Sequence, residues 1–263
     1  MDLSIVIPVR DELDSIAPLL EELRVAMHGV CGWEVLVVDD GSSDGTAARA
    51  AAVAASGYPE LKVLRHAWSC GQSAALRTGA LAARGEWLGT LDGDGQNDPA
   101  DLARMWAELR ASPAPAALWI GHRTERHDSG VRRLSSRIAN GVRRRLLHDD
   151  APDTGCGVKL IRRDVFLGLP YFDHIHRFLP ALVRRERLAV RNVPVSHRPR
   201  LSGRSKYGVN NRLWVGLVDL LGVLWLLRRR RLPVIAPDRG LESGVRPAKF
   251  PRRGLPANRA VLR

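Results

Sequence analysis

Apolar runs and amphipathic stretches alternate along the first 110 residues. LSIVIPV (3–9) is short, apolar and rich in β-branched residues, the pattern of a strand buried on both faces. Ile16, Leu19, Leu20 and Leu23 then recur at helical spacing, predicting a helix over 15–28 capped by Ser15, with Pro18 in its first turn. WEVLVVDD (33–40) predicts a second buried strand ending in two carboxylates, GSSDGT a turn, and the alanine-rich 46–56 a helix. LKVLRH (61–66) and EWLGTLDGD (86–94) predict two more strands with a helix over 72–84 between them. Asp98-Pro99 starts another helix, ending near residue 110.

Four rounds of strand and helix predict an α/β fold, a mostly parallel sheet with helices on both faces. Ligands of such sheets bind beyond the carboxyl ends of the strands. Asp39-Asp40 and Asp92/Asp94 both fall at that end, so they can meet in one crevice. The second half is less regular. Strands are predicted at 116–123 and 188–200, a strand leading into a helix at 155–166, and a very basic helix at 131–147. LWVGLVDLLGVLWLL (213–227) is the longest apolar stretch. As a helix it spans roughly 22 Å, short of the ~30 Å hydrocarbon core. Arg212, Gly216, Asp219 and Gly222 make one small or polar stripe opposite a Leu-rich face, predicting an amphipathic interfacial helix. The expected organisation is a catalytic domain over 1–210, this helix with its basic flank over 211–231, and a disordered basic tail over 232–263.

Charge sharpens this picture. The net charge is +13, but residues 1–100 carry 7 Lys/Arg against 15 Asp/Glu, leaving 34 against 13 beyond. An acidic half joined to a basic half suits a protein that holds a metal and several phosphates, an anionic membrane or nucleic acid. Three cysteines without CxxC spacing predict neither a disulfide framework nor a zinc site. The first residues show no basic region followed by an apolar run, so no secretory signal is read and a cytoplasmic location is expected.

The densest chemistry lies in TLDGDGQNDP (90–99). Two carboxylates at i and i+2 repel each other unless something neutralises them. Asp92, Asp94 and Gln96 alternate along an extended segment and can converge as oxygen ligands on Mg2+ or Mn2+, with diphosphate oxygens completing the shell. Such a cation would offset charge on a leaving diphosphate. Cys156 has no identifiable His partner and reads as a packed small residue, and His174, His176 and His197 show no clear metal spacing.

SIVIPVRDE, VVDDGSSDGT, GQSAALRTGALAARGEW, LDGDGQNDP, DTGCGVKLIRRDVF and GRSKYG occur in that order. Together they resemble the family 2 inverting nucleotide-sugar glycosyltransferases, over roughly residues 3–227. The nearest branch is the one that loads sugars onto polyprenyl phosphates, the dolichyl-phosphate mannose synthases and their bacterial relatives. The resemblance implies the GT-A sandwich fold. It places Pro8, Arg10, Glu12, Val38, Asp39, Asp40, Asp92 and Gly93 on the nucleotide sugar. Asp94, Arg123, Arg137, Arg200 and Lys206 become the catalytic group, with Arg137 on the lipid phosphate and Arg123, Arg200 and Lys206 on donor or acceptor phosphates. Two departures stand out: Arg10-Asp11 where relatives carry an aromatic and Asn, and Gly93 where they carry Ala, a change that reads as sterically mild.

The expected reaction is inverting transfer of a mannose- or glucose-like hexose from a nucleotide diphosphate sugar to a polyprenyl phosphate. The acceptor is already anionic, so no strong base is needed. Arg143, Arg144 and Arg145 read as a solvated basic face or a membrane contact. The expected place is the cytoplasmic face of the membrane, held peripherally by an anionic surface or a membrane protein partner. A soluble or polysaccharide acceptor is the alternative within enzymes, but it normally needs a carboxylate base, and no ED pair follows residue 150. A nucleic-acid binder is the alternative from another class; the metal and nucleotide elements lie in the acidic half, so no nucleic-acid partner is expected.

Overall fold

The computed structural model describes residues 1–113, 116–123, 141, 143, 145–147, 149, 151–199 and 209–229. Its strands are Leu3–Val9 (β1), Trp33–Asp39 (β2), Leu61–Arg65 (β3), Trp87–Thr90 (β4), Leu118–Arg123 (β5), Lys159–Arg162 (β6) and Val190–Val195 (β7). Its helices are Leu13–Met27 (α1), Thr46–Ala55 (α2), Gln72–Ala82 (α3), Pro99–Ala111 (α4), Arg163–Gly168 (α5), Leu179–Arg185 (α6) and Val209–Arg228 (α7), with a 3-10 turn at Ile175–Arg177. The predicted helix over 131–147 falls largely outside the described residues, as does the tail from residue 230.

One seven-stranded sheet runs in the order β3-β2-β1-β4-β6-β5-β7. β1 pairs in parallel with β2 and β4, and β2 with β3. β6 breaks the pattern by running antiparallel to both β4 and β5. Its register sets Lys159 beside Thr90, where β4 delivers the chain to the acidic loop. Alternation along β1 feeds two cores: Leu3, Ile5, Ile7 and Val9 pack with α1 and α4, while Val6 packs with α3 and α6. A Cβ at Gly79 would stand 2.3 Å from a Val6 methyl, so α3 lies on the sheet at a distance only glycine permits.

Several boundaries differ from expectation. The fourth strand stops at Thr90, because Asp92 onward turns away to form a site. α1 begins at Leu13, so Ser15 lies inside it and is no cap. Its first amides are met from the loop before α2 instead: Leu13 N donates to Asp44 Oδ2 and Glu12 N to Thr46 Oγ1. Asp98 does cap α4, accepting from Ala100 N at 2.9 Å with Pro99 just inside the helix.

The opposite end of the sheet is tied by a buried carboxylate. Glu34 accepts from Ser4 Oγ, Arg84 N, Arg84 Nε and Lys62 Nζ at 2.7–3.1 Å. Burial alone would raise its pKa, but these donors outweigh burial and hold it at about 2, against 4.5 unperturbed. A depressed carboxyl pKa stabilises the fold fully above 4.5, and that stability disappears as pH falls toward 2. Solvent around Lys62 and Arg84 reduces the contribution to roughly 2–3 kcal/mol. Glu34→Gln should therefore destabilise by about that amount in urea titrations at pH 7, and by clearly less at pH 3. An equal deficit at both pH values would show that lost packing, not charge, is responsible.

Candidate active site

After Thr90 the chain enters the loop that sequence reading singled out. Gly95 bends it with a positive φ of 73°. Asp92 is enclosed by protein on most sides. Gln72 Nε2, at the start of α3, donates to its Oδ1 at 2.9 Å, and Asp92 N donates to Asn97 Oδ1 at 3.3 Å. Gly157 backs the carboxylate so closely that a Cβ there would lie 2.4 Å from Asp92 Oδ2 and 2.5 Å from Asn97 Oδ1. Burial raises the Asp92 pKa and the neighbouring Asp94 charge raises it further; Lys159, Arg123 and Gln72 act in the opposite sense.

A cationic floor lies behind this carboxylate. Lys159 is buried, and its Nζ donates to the Cys156 carbonyl. Burial draws its pKa down, partly opposed by Asp92 and Asp153. Arg123, at the end of β5, forms a two-pronged pair with Asp153, Nε to Oδ2 at 2.6 Å and Nη2 to Oδ1 at 2.9 Å. Burial works against the Arg123 charge, but Asp153 outweighs it and its pKa rises. His176 Nδ1 lies 2.8 Å from Ser73 Oγ; burial, then the Lys159, Arg177 and His174 charges, push its pKa well down, so it is neutral. Asp92, Gln72, Thr90, Lys159, His176 and Pro8 share an enclosed cavity of about 20 Å³, room for one water. Cys156 is fully buried and burial raises its thiol pKa, which matches its reading as a packed residue.

Gln72, Asp153 and Lys159 were not expected at the site, and His176 was read only for metal spacing. The first three stand inside quoted motifs, and their polar side chains amid small and apolar neighbours were the available signal. His176 had no such signal, since its partner Ser73 lies 103 residues away.

The nucleotide corner forms where β1 and β2 end. Val38 is buried and faces Pro8 in register. Asp39 is fully buried; its Oδ1 accepts from Ser42 N, whereas Oδ2 has no hydrogen-bond donor among the described residues and stands 3.4 Å from Arg65 Nε in an ion pair. Asp40 holds the loop before α3, accepting from Cys70 N, Gly71 N, Ser69 Oγ and His66 Nδ1. Arg10 is half-exposed at the rim and donates to Ser69 Oγ, and Glu12 is partly exposed beside it. Gly93 is less replaceable than expected. A Cβ there would meet a Val9 methyl at 2.5 Å, so the alanine of relatives would displace Val9 in this chain.

Gln96 faces the strand β7 extension: its Nε2 donates to Arg198 O at 3.4 Å, and Arg198 N donates back to Gln96 O at 3.0 Å. Arg198 also pairs with Glu22 and Asp98, at 2.6 and 2.5 Å. Arg200 and Lys206, which follow, lie outside the described residues, as do Arg137 and Arg144. Arg143 corrects the expectation of a solvated face: it is 9% exposed, donates to Thr154 Oγ1 and to Ala151 O, and pairs with Asp149. Arg145 is exposed as expected.

α7 also departs from its predicted stripe. Asp219 is turned to the protein, 2.9 Å from His174 Nδ1, while Gly222 faces solvent. Val223 is buried and Leu220, Leu224 and Leu227 pack on the core, leaving Val218, Leu221 and Trp225 exposed. The physical reason is that a carboxylate on a docked helix is cheapest where it finds a donor. Among the described residues, no helix is long and apolar enough to cross a membrane.

The donor set fits a hard divalent cation. Two carboxylates and an amide oxygen are hard ligands, and burial together with the Asp94 charge disfavours an ionised Asp92, a cost that a cation would relieve. Asp92, Asp94 and Gln96 would hold it, and it would supply Lewis-acid stabilisation of a departing diphosphate.

Residues 4–168 match the model of glycosyl transferase family 2. The dodecaprenyl-phosphate galacturonate synthase of Rhizobium johnstonii is 33% identical over 89% of this chain and 69% of its own length. The undecaprenyl-phosphate 4-deoxy-4-formamido-L-arabinose transferases of Edwardsiella ictaluri and Sodalis glossinidius are 30% and 32% identical over 78% and 88% of this chain. This chain spans 63% and 70% of their lengths. Among solved structures, glucosyl-3-phosphoglycerate synthase from Mycobacterium tuberculosis with Mn2+, UDP-glucose and glycerol 3-phosphate superposes with a TM-score of 0.65 at 18% identity. That match covers 86% of this chain and 79% of that one and establishes the GT-A-type fold. Motif order, fold and sequence agree, and the chain belongs to glycosyl transferase family 2.

Proposed function

We propose that this chain transfers a sugar from a nucleotide diphosphate sugar to a polyprenyl phosphate, with inversion, at a membrane surface. The observation that carries the reading is the Asp92/Asp94 loop set over the buried Lys159 and Arg123, an arrangement suited to gathering one cation and two anionic substrates. The polyprenyl acceptor is inferred from relatives whose names specify dodecaprenyl or undecaprenyl phosphate. Those names specify galacturonate and a formamido-arabinose, so both belong in the donor panel beside the mannose- or glucose-like hexoses expected from sequence.

Chain residues do the positioning. Asp39, fully buried and paired with Arg65, shapes the corner where the base and ribose would sit. Arg123 keeps three N–H groups beyond its Asp153 pair for phosphate oxygens. Arg200 and Lys206 complete the phosphate contacts, and Arg137 holds the lipid phosphate. Asp92, Asp94 and Gln96 would hold Mg2+ or Mn2+, which would supply Lewis-acid stabilisation to the diphosphate. Asp153 is 2% exposed and engaged by Arg123, so it is a poor general base, which favours an acceptor already ionised. The exposed Val218, Leu221 and Trp225 stripe, ending in exposed Arg228 and Arg229, rests on an anionic leaflet.

A panel of radiolabelled nucleotide sugars should be incubated with undecaprenyl phosphate in anionic vesicles and then extracted into organic solvent. Label should enter the organic phase for one donor, vanish in EDTA and return with Mg2+ or Mn2+. Label that stays in water-soluble product would replace the lipid acceptor with a soluble one; full transfer in EDTA would remove the metal.

A further inference from the structure

Three side chains from three elements converge beside the nucleotide corner. Asp40 follows β2, His66 follows β3 and Cys70 precedes α3. One ligand atom from each lies within 4.8 Å of the other two. We propose that Asp40 Oδ1, His66 Nδ1 and Cys70 Sγ form a second cation site, suited to zinc rather than to the hard cation expected at Asp92.

The donor set is carboxylate, imidazole and thiol, the mixture that favours a borderline-soft, tetrahedral cation. His66 Nδ1 and Asp40 Oδ1 are 2.8 Å apart, within hydrogen-bond distance. A tetrahedral cation between them needs roughly 3.3 Å, from bonds of about 2.0–2.1 Å. The opening is about half an ångström, and exposed Cys70 lies on a loop that can follow. Asp40 does not have to surrender its other bonds. Oδ2 keeps Ser69 Oγ and Gly71 N, and Oδ1 keeps Cys70 N on its second lone pair. The cation takes the lone pair that faces His66.

His66 Nε2 lies 2.9 Å from Thr78 Oγ1. A hydroxyl both donates and accepts, so rotation about one bond lets Thr78 serve either imidazole tautomer. The tautomer with its proton on Nε2 leaves Nδ1 free for the cation, the hydrogen-bonded arrangement typical of ligating histidines. Binding releases the thiol proton and any proton displaced from Asp40 and His66 to solvent, and solvent fills the fourth position. No cysteine spacing announces this site, because each ligand comes from the end of a different element.

The site is wired to the catalytic loop. Cys70 and Gly71 give their amides to Asp40, and the next residue, Gln72, donates to Asp92. A cation on Cys70 therefore grips the chain that positions Gln72, and zinc should inhibit.

The test is Co2+ titration of the metal-stripped full chain, read by absorption. Binding here gives the near-ultraviolet thiolate-to-cobalt band, which a cation on Asp92 and Asp94 cannot give. Wild type should show the band and Zn2+ should bleach it. Cys70→Ser should lack it, and Thr78→Val should weaken cobalt binding about tenfold. Cys70→Ser should keep Mg2+-supported transfer, show an unchanged melting profile and lose inhibition by micromolar Zn2+. No band in wild type, a band that survives in Cys70→Ser, or equal Zn2+ inhibition of both proteins would overturn the site.

Discussion

Asp92→Asn should lower turnover roughly a thousandfold while leaving the fold intact. A Lewis-acid cation supplies several kcal/mol to a developing diphosphate charge, and 1.36 kcal/mol is a factor of ten. The substitution preserves shape: the amide oxygen can still accept from Gln72 Nε2, and Gly157 still backs the group. It also removes the repulsion from Asp94 that burial makes costly. The melting temperature should therefore move by only a few degrees, and the loss should be one of cation affinity and rate. Binding of Mn2+ to the metal-stripped protein, followed by the resonance signal of free Mn2+, separates the two. Weak binding with a slow rate supports the assignment. A wild-type rate in Asp92→Asn would place the cation elsewhere, and wild-type Mn2+ affinity would do the same even if the rate fell.

The alternating half of the fold was legible because each element is short, periodic and punctuated. The β1 run needed no partner to be read, since both of its faces are buried and every position from Leu3 to Ile7 is apolar or, at Ser4, bonded inside. The reversal of β6 was not legible. Direction within a sheet is decided by the long connection after β5, and no local pattern in KLIR records it. Yet that reversal brings Lys159 to Thr90 and so builds the floor of the site. Neighbours in sequence also part company in space. Asp39 and Asp40 read as one acidic corner, but Asp39 is sealed beneath Ser42 and Arg65, while Asp40 is committed to the loop before α3. Composition failed for Arg143 for a related reason: a run of arginines looks solvated until tertiary structure supplies a carbonyl, a hydroxyl and a carboxylate to one of them.

Arg123→Ala is expected to fail in two separable ways. Asp153 is 2% exposed and the Arg123 fork binds both its oxygens. Removing one partner of a buried pair costs about 3–5 kcal/mol, because the carboxylate loses its counter-charge. For a chain of this size, each kcal/mol shifts the melting temperature by about 2–4 °C, so a fall near 10 °C is expected. Turnover should drop roughly 10–100-fold besides, the value of one charge-assisted bond to phosphate. The double variant with Asp153→Ala removes the stranded carboxylate. It should regain most of the lost stability, because no unpaired charge is left behind. It should not regain the rate if the guanidinium touches phosphate. Arg123→Lys tests the fork independently: it keeps a charge near Asp153 but cannot bind two oxygens and a phosphate in one plane. Urea titrations and initial rates on the four proteins would decide. A double variant that recovers rate together with stability would reduce Arg123 to a structural partner of Asp153 and leave donor binding to residues beyond it.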